Sequence, residues 1–352
     1  MAASVLLAVA TIAGGTAAAQ QHVTALADVL LYGDNTEFRN PFREGETIFG
    51  SAARVYADLE LNPRVKVSLG VAGNERFGGD RAFEQVRPVA ALTVTGDRSS
   101  FVFGAFPPRR ADAPIGPDRT GPHGLLPPLQ RETLTFDRPY EAGLQWDFDG
   151  ARLGHSMWLE WQRINTSEHR ERFDAGLNAR LTLTSHLSVP VQVHVVHEGG
   201  QLFNTGPVAD SAAGAAGIAI HGSTAHAGTI ALELFAVASK SVPDRERPDQ
   251  NRNGTAFFGR AAAERNGWRA HLIAWRGRNF VKDEGDANYL SIRRDGSRYR
   301  GIRDYAEAGL ARRFRLAPGA VIEASGRLHR TERHYEYSYR VLSIASLGWR
   351  LR

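Results

Sequence analysis

The chain has no cysteine among its 352 residues. Disulfides and thiolate metal sites are thereby excluded, which suits a bacterial protein facing the periplasm. After residues 1–20, no uninterrupted apolar run reaches the about 18 residues of a transmembrane helix. The G-x-S-x-G elbow of many hydrolases is missing. So is the HExxH spacing of zinc hydrolases. His194, His197 and Glu198 read HxxHE instead, and two residues three apart on a strand face opposite sides. Asp283-Glu284-Gly285-Asp286 is acidic but lacks the oxygen-ligand loop pattern of a calcium site. The expectation is a chain without metal, without cofactor and without enzymatic activity.

What is present begins with an apolar terminus, MAASVLLAVATIAGGTAAAQ. Ala17-Ala18-Ala19 before Gln20 fits the small-residue rule of a secretory signal. Residues 1–19 are expected to be that signal and 20–352 a single domain. The formal net charge is +5 and the isoelectric point about 9.7. A basic balance can mark nucleic-acid binding, but export argues against it. Anionic lipopolysaccharide and anionic solutes are the natural partners, beside the plainer reading of a solvated basic surface.

The last stretch, Tyr335 to Arg352, reads YEYSYRVLSIASLGWRLR. One alternate set is Tyr335, Tyr337, Tyr339, Val341, Ser343, Ala345, Leu347, Trp349 and Leu351; the other is largely polar. That is a two-faced strand with period two. From Tyr339 to Trp349 it rises roughly 33 Å. Tilted by about 40°, it covers roughly 25 Å, the height of the lipid-facing band of an outer-membrane barrel. Charged residues make up 23% of the chain and mean hydropathy is −0.32. Neither opposes a barrel, because alternation hides the apolar half of each strand from any average.

The same stripe recurs upstream. Ala53, Val55, Ala57 and Leu59 alternate with Arg54, Tyr56, Asp58 and Glu60. A turn at Asn62-Pro63-Arg64 leads to Val65, Val67, Leu69 and Val71. Further strands are expected from Val23 to Leu31, near 83–95, from Phe101 onward, and near 134–148, 151–163, 172–183, 187–197, 212–221, 228–239, 255–264, 268–276, 302–312 and 320–329. Long loops are expected at 107–133 and 277–300, and short and long connections alternate. The count is about sixteen, giving an all-β, transmembrane antiparallel β-barrel with short periplasmic turns and long extracellular loops.

Aromatic positions agree. Phe101, Trp146, Phe148 and Trp268 lie beside short turns and Trp349 at the matching end of the last strand, while Trp161, Tyr337 and Tyr339 lie towards the other end. Aromatic rings favour the membrane–water boundary. A secreted sandwich would concentrate them at mid-strand instead.

With signal, hairpin rhythm, a long third outer loop and a striped last strand in place, the chain resembles the bacterial general porins. The resemblance is one of architecture and implies a barrel of the bacterial outer membrane, with a homotrimer as a possible assembly. In that family the third outer loop narrows the pore. By order, this places Arg109, Arg110, Asp118, Arg119 and Arg131 at a constriction.

The inward faces carry Arg54, Lys66, Arg87, Arg152, Glu160, Arg180, Arg260, Arg269, Glu307 and Arg327. Charges such as these avoid a lipid face, where a mid-membrane Arg or Lys costs roughly 2–4 kcal/mol. The expectation is a water-filled, anion-favouring channel for passive diffusion of small hydrophilic solutes. Two alternatives stand beside it: a barrel enzyme of lipase or protease type, and a non-channel adhesin or structural barrel.

Overall fold

The computed structural model describes residues 22–106, 122–224 and 228–351. The expected signal segment lies outside them. Among the described residues, sixteen strands follow one another. They are β1 (His22–Glu37), β2 (Glu46–Asn62), β3 (Val65–Arg76), β4 (Gln85–Thr95), β5 (Ser99–Phe106) and β6 (Glu141–Asp149). Next come β7 (Leu153–Arg163), β8 (Glu171–Thr182), β9 (Leu187–Gly199), β10 (Ala209–Thr224) and β11 (Gly228–Val242). The last are β12 (Arg252–Arg265), β13 (Trp268–Arg278), β14 (Ile302–Ala317), β15 (Ala320–Thr331) and β16 (His334–Leu351).

Each strand pairs with its neighbours in sequence, and β1 closes on β16 from Val23↔Leu351 to Glu37↔Tyr337. Closure removes every sheet edge, so all strand backbone groups can pair without water. The outward face is apolar and exposed, with Val55, Val71, Phe103, Ile218, Leu234, Phe257, Leu272 and Leu328 among its members. The inward face is charged and largely paired: Arg54 with Asp28, Lys66 with Asp58, Arg260 with Glu233, and Arg269 with Glu323.

Three details depart from the sequence reading. Residues 134–140 were expected in a strand, but Leu134–Asp137 is one helical turn, α1, and β6 starts at Glu141. The apolar alternation of Leu134 and Phe136 serves burial inside the barrel, where both are almost fully covered. Arg152 is not on the lumen wall: it sits exposed in the turn between β6 and β7. The long-loop end has one short connection, because Thr331 pairs directly with His334 and Glu332 takes a positive φ of 56° in the turn.

The lumen is filled towards the long-loop end. Residues 122–140 and 279–301 both fold inward. Leu125, Leu126 and Leu129 join Trp158, Phe235, Phe258, Trp275, Phe280, Tyr289 and Tyr305 in one buried apolar cluster. Hydrogen bonds fix this plug. Leu126 N–H donates to Gln192 Oε1 at 2.8 Å, and Asn178 Nδ2 donates to the His123 carbonyl at 2.9 Å. The two segments also hold each other, through Arg131 N–H to the Glu284 carbonyl (2.7 Å) and Asp286 N–H to the Pro127 carbonyl (2.9 Å).

Candidate active site

Inside the long-loop half, β14, β15 and β16 bring four side chains into one line. Glu307 on β14 is registered with His329 on β15, and Ser338 on β16 is registered with Arg327, two residues from His329. Period two then turns Glu307, His329 and Ser338 to the same, inner face. Tyr305, two residues before Glu307, shares that face.

The distances link them. Ser338 Oγ lies 2.8 Å from His329 Nε2. His329 Nδ1 lies 2.7 Å from the Tyr305 hydroxyl, which donates to Glu307 Oε2 at 2.6 Å. Tyr305 has one proton and gives it to the carboxylate. Its oxygen can therefore only accept, so Nδ1 carries the imidazole proton. In the neutral ring Nε2 is then a bare acceptor facing the Ser338 hydroxyl. The tautomer follows from this bonding pattern.

Glu307 is held on its other oxygen by His271 Nε2 at 2.7 Å, with Arg327 Nη1 at 3.6 Å. A cavity of about 20 Å³ adjoins the group, lined also by Asp34, Arg43, Glu132, Asp286 and Arg340. That volume holds about one water.

The β1–β2 loop, 38–45, covers the group. Phe38 sets its ring edge-on to His329 with centroids 4.8 Å apart. The loop is pinned by Glu336, which accepts from Arg39 N–H (2.5 Å), Asn40 N–H (2.7 Å) and Asn40 Nδ2 (2.6 Å). Arg43 pairs with Asp286 at 2.7 Å. Burial opposes the Arg43 charge, but Asp286 and further acids outweigh it and hold the guanidinium above its ordinary value.

The residues expected on the wall are found there, apart from Arg152. Arg54, Arg87, Glu160, Arg180, Arg260, Arg269, Glu307, Arg327 and Lys66 face inward. Of the expected constriction residues, Arg109, Arg110, Asp118 and Arg119 lie outside the described residues. Arg131 is in the plug and pairs with Asp137 at 2.9 Å. The girdle residues Phe101, Trp146, Trp161, Trp268, Tyr337, Tyr339 and Trp349 are all exposed on the outer face. Phe148, on the same face as Trp146, stacks on His155. Sequence reasoning placed Glu307 inward but missed Ser338, His329 and Tyr305 as a group. Only the strand register joins them.

Fold and site together define an outer-membrane β-barrel with a hydroxyl–imidazole–carboxylate chain inside its extracellular half. Solved structures agree on the fold. The chain is similar to Pseudomonas aeruginosa OccK8 (OprE), with TM-score 0.55 and 10% identity over 93% of this chain and 98% of that one. It is similar to the trimer form of OmpT, an outer membrane protein of Vibrio cholerae (TM-score 0.53, 10% identity, 93% and 99% covered). The anion-selective porin from Comamonas acidovorans gives TM-score 0.52 and 9% identity, with 93% and 99% covered. These likenesses show the fold, a large closed antiparallel β-barrel. No curated protein matches it in sequence.

The chain belongs to the Lipid A 3'-O-deacylase-type family, whose model matches residues 16–346. This overturns the expectation of a chain without enzymatic activity, because the family is named for an enzyme. The absence of G-x-S-x-G had removed one hydrolase signature. It could not remove a site assembled across three strands.

Proposed function

We propose that the protein is an outer-membrane esterase that removes an ester-linked acyl chain from lipid A-type glycolipid, with Ser338 as nucleophile and His329 as general base. The observation that carries this reading is the unbroken line Ser338–His329–Tyr305–Glu307, with links of 2.8, 2.7 and 2.6 Å. Such a line fits acyl transfer.

Ser338 Oγ would attack the ester carbonyl carbon while its proton passes to His329 Nε2. The bond to the sugar oxygen then breaks, and that oxygen takes the proton from Nε2. Water repeats the exchange on the acyl–serine ester and frees the fatty acid. Tyr305 and Glu307 are positioning residues: they keep the ring proton on Nδ1 and stabilise the imidazolium that forms. The guanidiniums of Arg43, Arg327 and Arg340 line the same cavity and supply positive charge near the developing oxyanion. An acyl ester exceeds the present cavity, so substrate entry needs the 38–45 loop to lift from Phe38 to Arg43.

The test is fatty-acid release from purified lipid A in mixed micelles, followed by mass spectrometry with the folded full-length barrel. Ser338→Ala and His329→Gln should each lose at least about 10³-fold in rate. Undiminished release by Ser338→Ala would remove the hydroxyl from the mechanism.

Passive diffusion is the second reading, favoured by the porin-like fold. The filled extracellular half of the lumen weighs against a wide passage, and single-channel conductance decides it. The trimer expected from the porin resemblance is compatible with the OmpT trimer, and ultracentrifugation in detergent counts the chains.

A further inference from the structure

A second cluster lies across the lumen from Ser338, where β8 and β16 stand eight strands apart in the sixteen-strand ring. Asp174 on β8 and His194 on β9 are both fully buried. Glu284 reaches them from the plug segment 279–301. His194 Nε2 is 3.4 Å from Asp174 Oδ2 and 3.8 Å from Glu284 Oε2.

The other ring nitrogen decides the chemistry. His194 Nδ1 is 3.0 Å from the Leu129 carbonyl, which can only accept, so Nδ1 carries a proton. In the neutral ring, Nε2 then points a bare lone pair at two carboxylates. Among the described residues, neither Nε2 nor Glu284 Oε2 has a hydrogen-bond partner. Three buried lone-pair donors facing one another repel unless positive charge sits among them.

The nearby cations do not fill that place: the buried Lys282 ammonium donates to the Asp283 carbonyl. Arg138 holds Glu284 by its other oxygen, Oε1, at 2.8 Å, and is 3.9 Å from Asp174 Oδ2. Arg172 also takes Oε1, at 3.2 Å. Gln162 Nε2 donates to Asp174 Oδ2 and Glu284 Oε1, both at 3.2 Å. Trp158 Nε1 donates to Asp174 Oδ1 at 3.1 Å. Glu284 is thus held only through Oε1, which leaves Oε2 aimed at His194; Asp174 Oδ2 faces His194 as well while accepting from Gln162.

We propose that Asp174, His194 and Glu284 form a zinc-class divalent-cation site that fastens the lumen plug to the barrel wall. The spacing suits it. Metal–ligand bonds of about 2.0–2.1 Å in a tetrahedral site put neighbouring ligand atoms roughly 3.3–3.4 Å apart. The observed 3.4 and 3.8 Å need only a small closure. One imidazole with two carboxylates favours zinc over calcium, which seeks about six to eight oxygens. The Nδ1–H bond to a backbone carbonyl is the outer-shell support that metal-binding histidines commonly have. Because Leu129 and Glu284 belong to the two plug segments, the cation ties both to β8 and β9. The proposal does not rest on the Ser338 chemistry, because the two groups share no residue.

The test uses the full-length barrel folded in detergent, stripped with chelator and dialysed. Zinc chloride and calcium chloride are titrated calorimetrically, and bound metal is counted by mass spectrometry. The expected result is one zinc per chain, not displaced by excess calcium. Binding should weaken at least about tenfold in Asp174→Asn and in Glu284→Gln. Glu284→Gln changes a loop residue, so strand content by circular dichroism should hold. Zinc should also slow amide exchange in 122–138 and 279–286. Absence of stoichiometric zinc, or equal binding by Glu284→Gln, would overturn the proposal. So would nuclear magnetic resonance finding both His194 nitrogens protonated with and without zinc, because a proton alone would then occupy the place.

Discussion

Replacing Tyr305 by phenylalanine isolates the proton path from the rest of the site. His329 Nδ1 and Glu307 Oε2 are 3.5 Å apart, at the outer edge of hydrogen-bond range. The Tyr305 hydroxyl spans that gap with bonds of 2.7 and 2.6 Å. Without it, the Nδ1 proton has no acceptor at good distance, and the ring is free to carry its proton on Nε2 instead. In that tautomer it cannot accept from Ser338. General-base assistance is worth about 10²–10⁴-fold, and the base itself remains. The expected loss in kcat is therefore about 10²–10³-fold, roughly 3–4 kcal/mol. KM should move little, because the hydroxyl is committed to protein groups. Folding should lose about 1–2 kcal/mol for the buried hydrogen bonds. The assay is initial-rate fatty-acid release from lipid A, with urea unfolding of the same preparation as control. The double variant with Ser338→Ala should be no slower than Ser338→Ala alone, since the two act as a unit. Wild-type kcat in Tyr305→Phe, or a double-variant loss equal to the product of the singles, would refute the relay.

Three further perturbations test the frame. Leu129→Asp places a charge at a position with 0% exposure, so the plug should loosen and conductance steps in planar bilayers should grow several-fold; unchanged steps would mean that the plug does not set the passage. A Cβ on Gly176 would overlap the Trp158 ring, so Gly176→Ala should displace Trp158 from His123 and Asp174 and cost about 1–3 kcal/mol; a urea midpoint equal to wild type would contradict this packing. Leu272 is 62% exposed on the outer face, so Leu272→Arg should destabilise the barrel in lipid vesicles by about 2–4 kcal/mol, and a neutral effect would take that face out of the membrane.

The barrel was legible because alternation is a local property. Val55 beside Arg54, or Trp146 beside Gln145, declares its face without knowledge of any partner. The same locality explains the errors. Leu134 and Phe136 alternate like a strand, yet their apolar side chains pack into the lumen plug, where a helical turn suffices. Arg152 was counted on the wall because Asp149-Gly150 looks like a complete turn. The observed turn runs on to residue 152. The candidate site is non-local. Glu307, His329 and Ser338 come from three strands, and a one-residue slip in either pairing would turn one of them outward. Asp174, His194 and Glu284 are likewise joined only by register and by the inward fold of 279–301.

On the proposed esterase reading, Ser338 has to meet a lipid from inside a porin-like wall. Its strand starts at the short 332–333 turn, where Thr331 pairs with His334. Ser338 lies four residues below that turn, about 13 Å along the strand. Tyr337 and Tyr339 flank it on the opposite face and are exposed where outer-leaflet headgroups would meet the barrel. Its own strand separates the Ser338 hydroxyl from that outer face, and on the inside loop 38–45 covers the group through Phe38 on His329. Glu336, on the same strand, holds that loop through three hydrogen bonds. Asp286 holds it from the plug through Arg43, two residues from Glu284. Loop 38–45, β16 and the plug are thus joined by three hydrogen bonds and one ion pair, and on the proposed esterase reading the loop must part from Glu336 and Asp286 before a substrate enters.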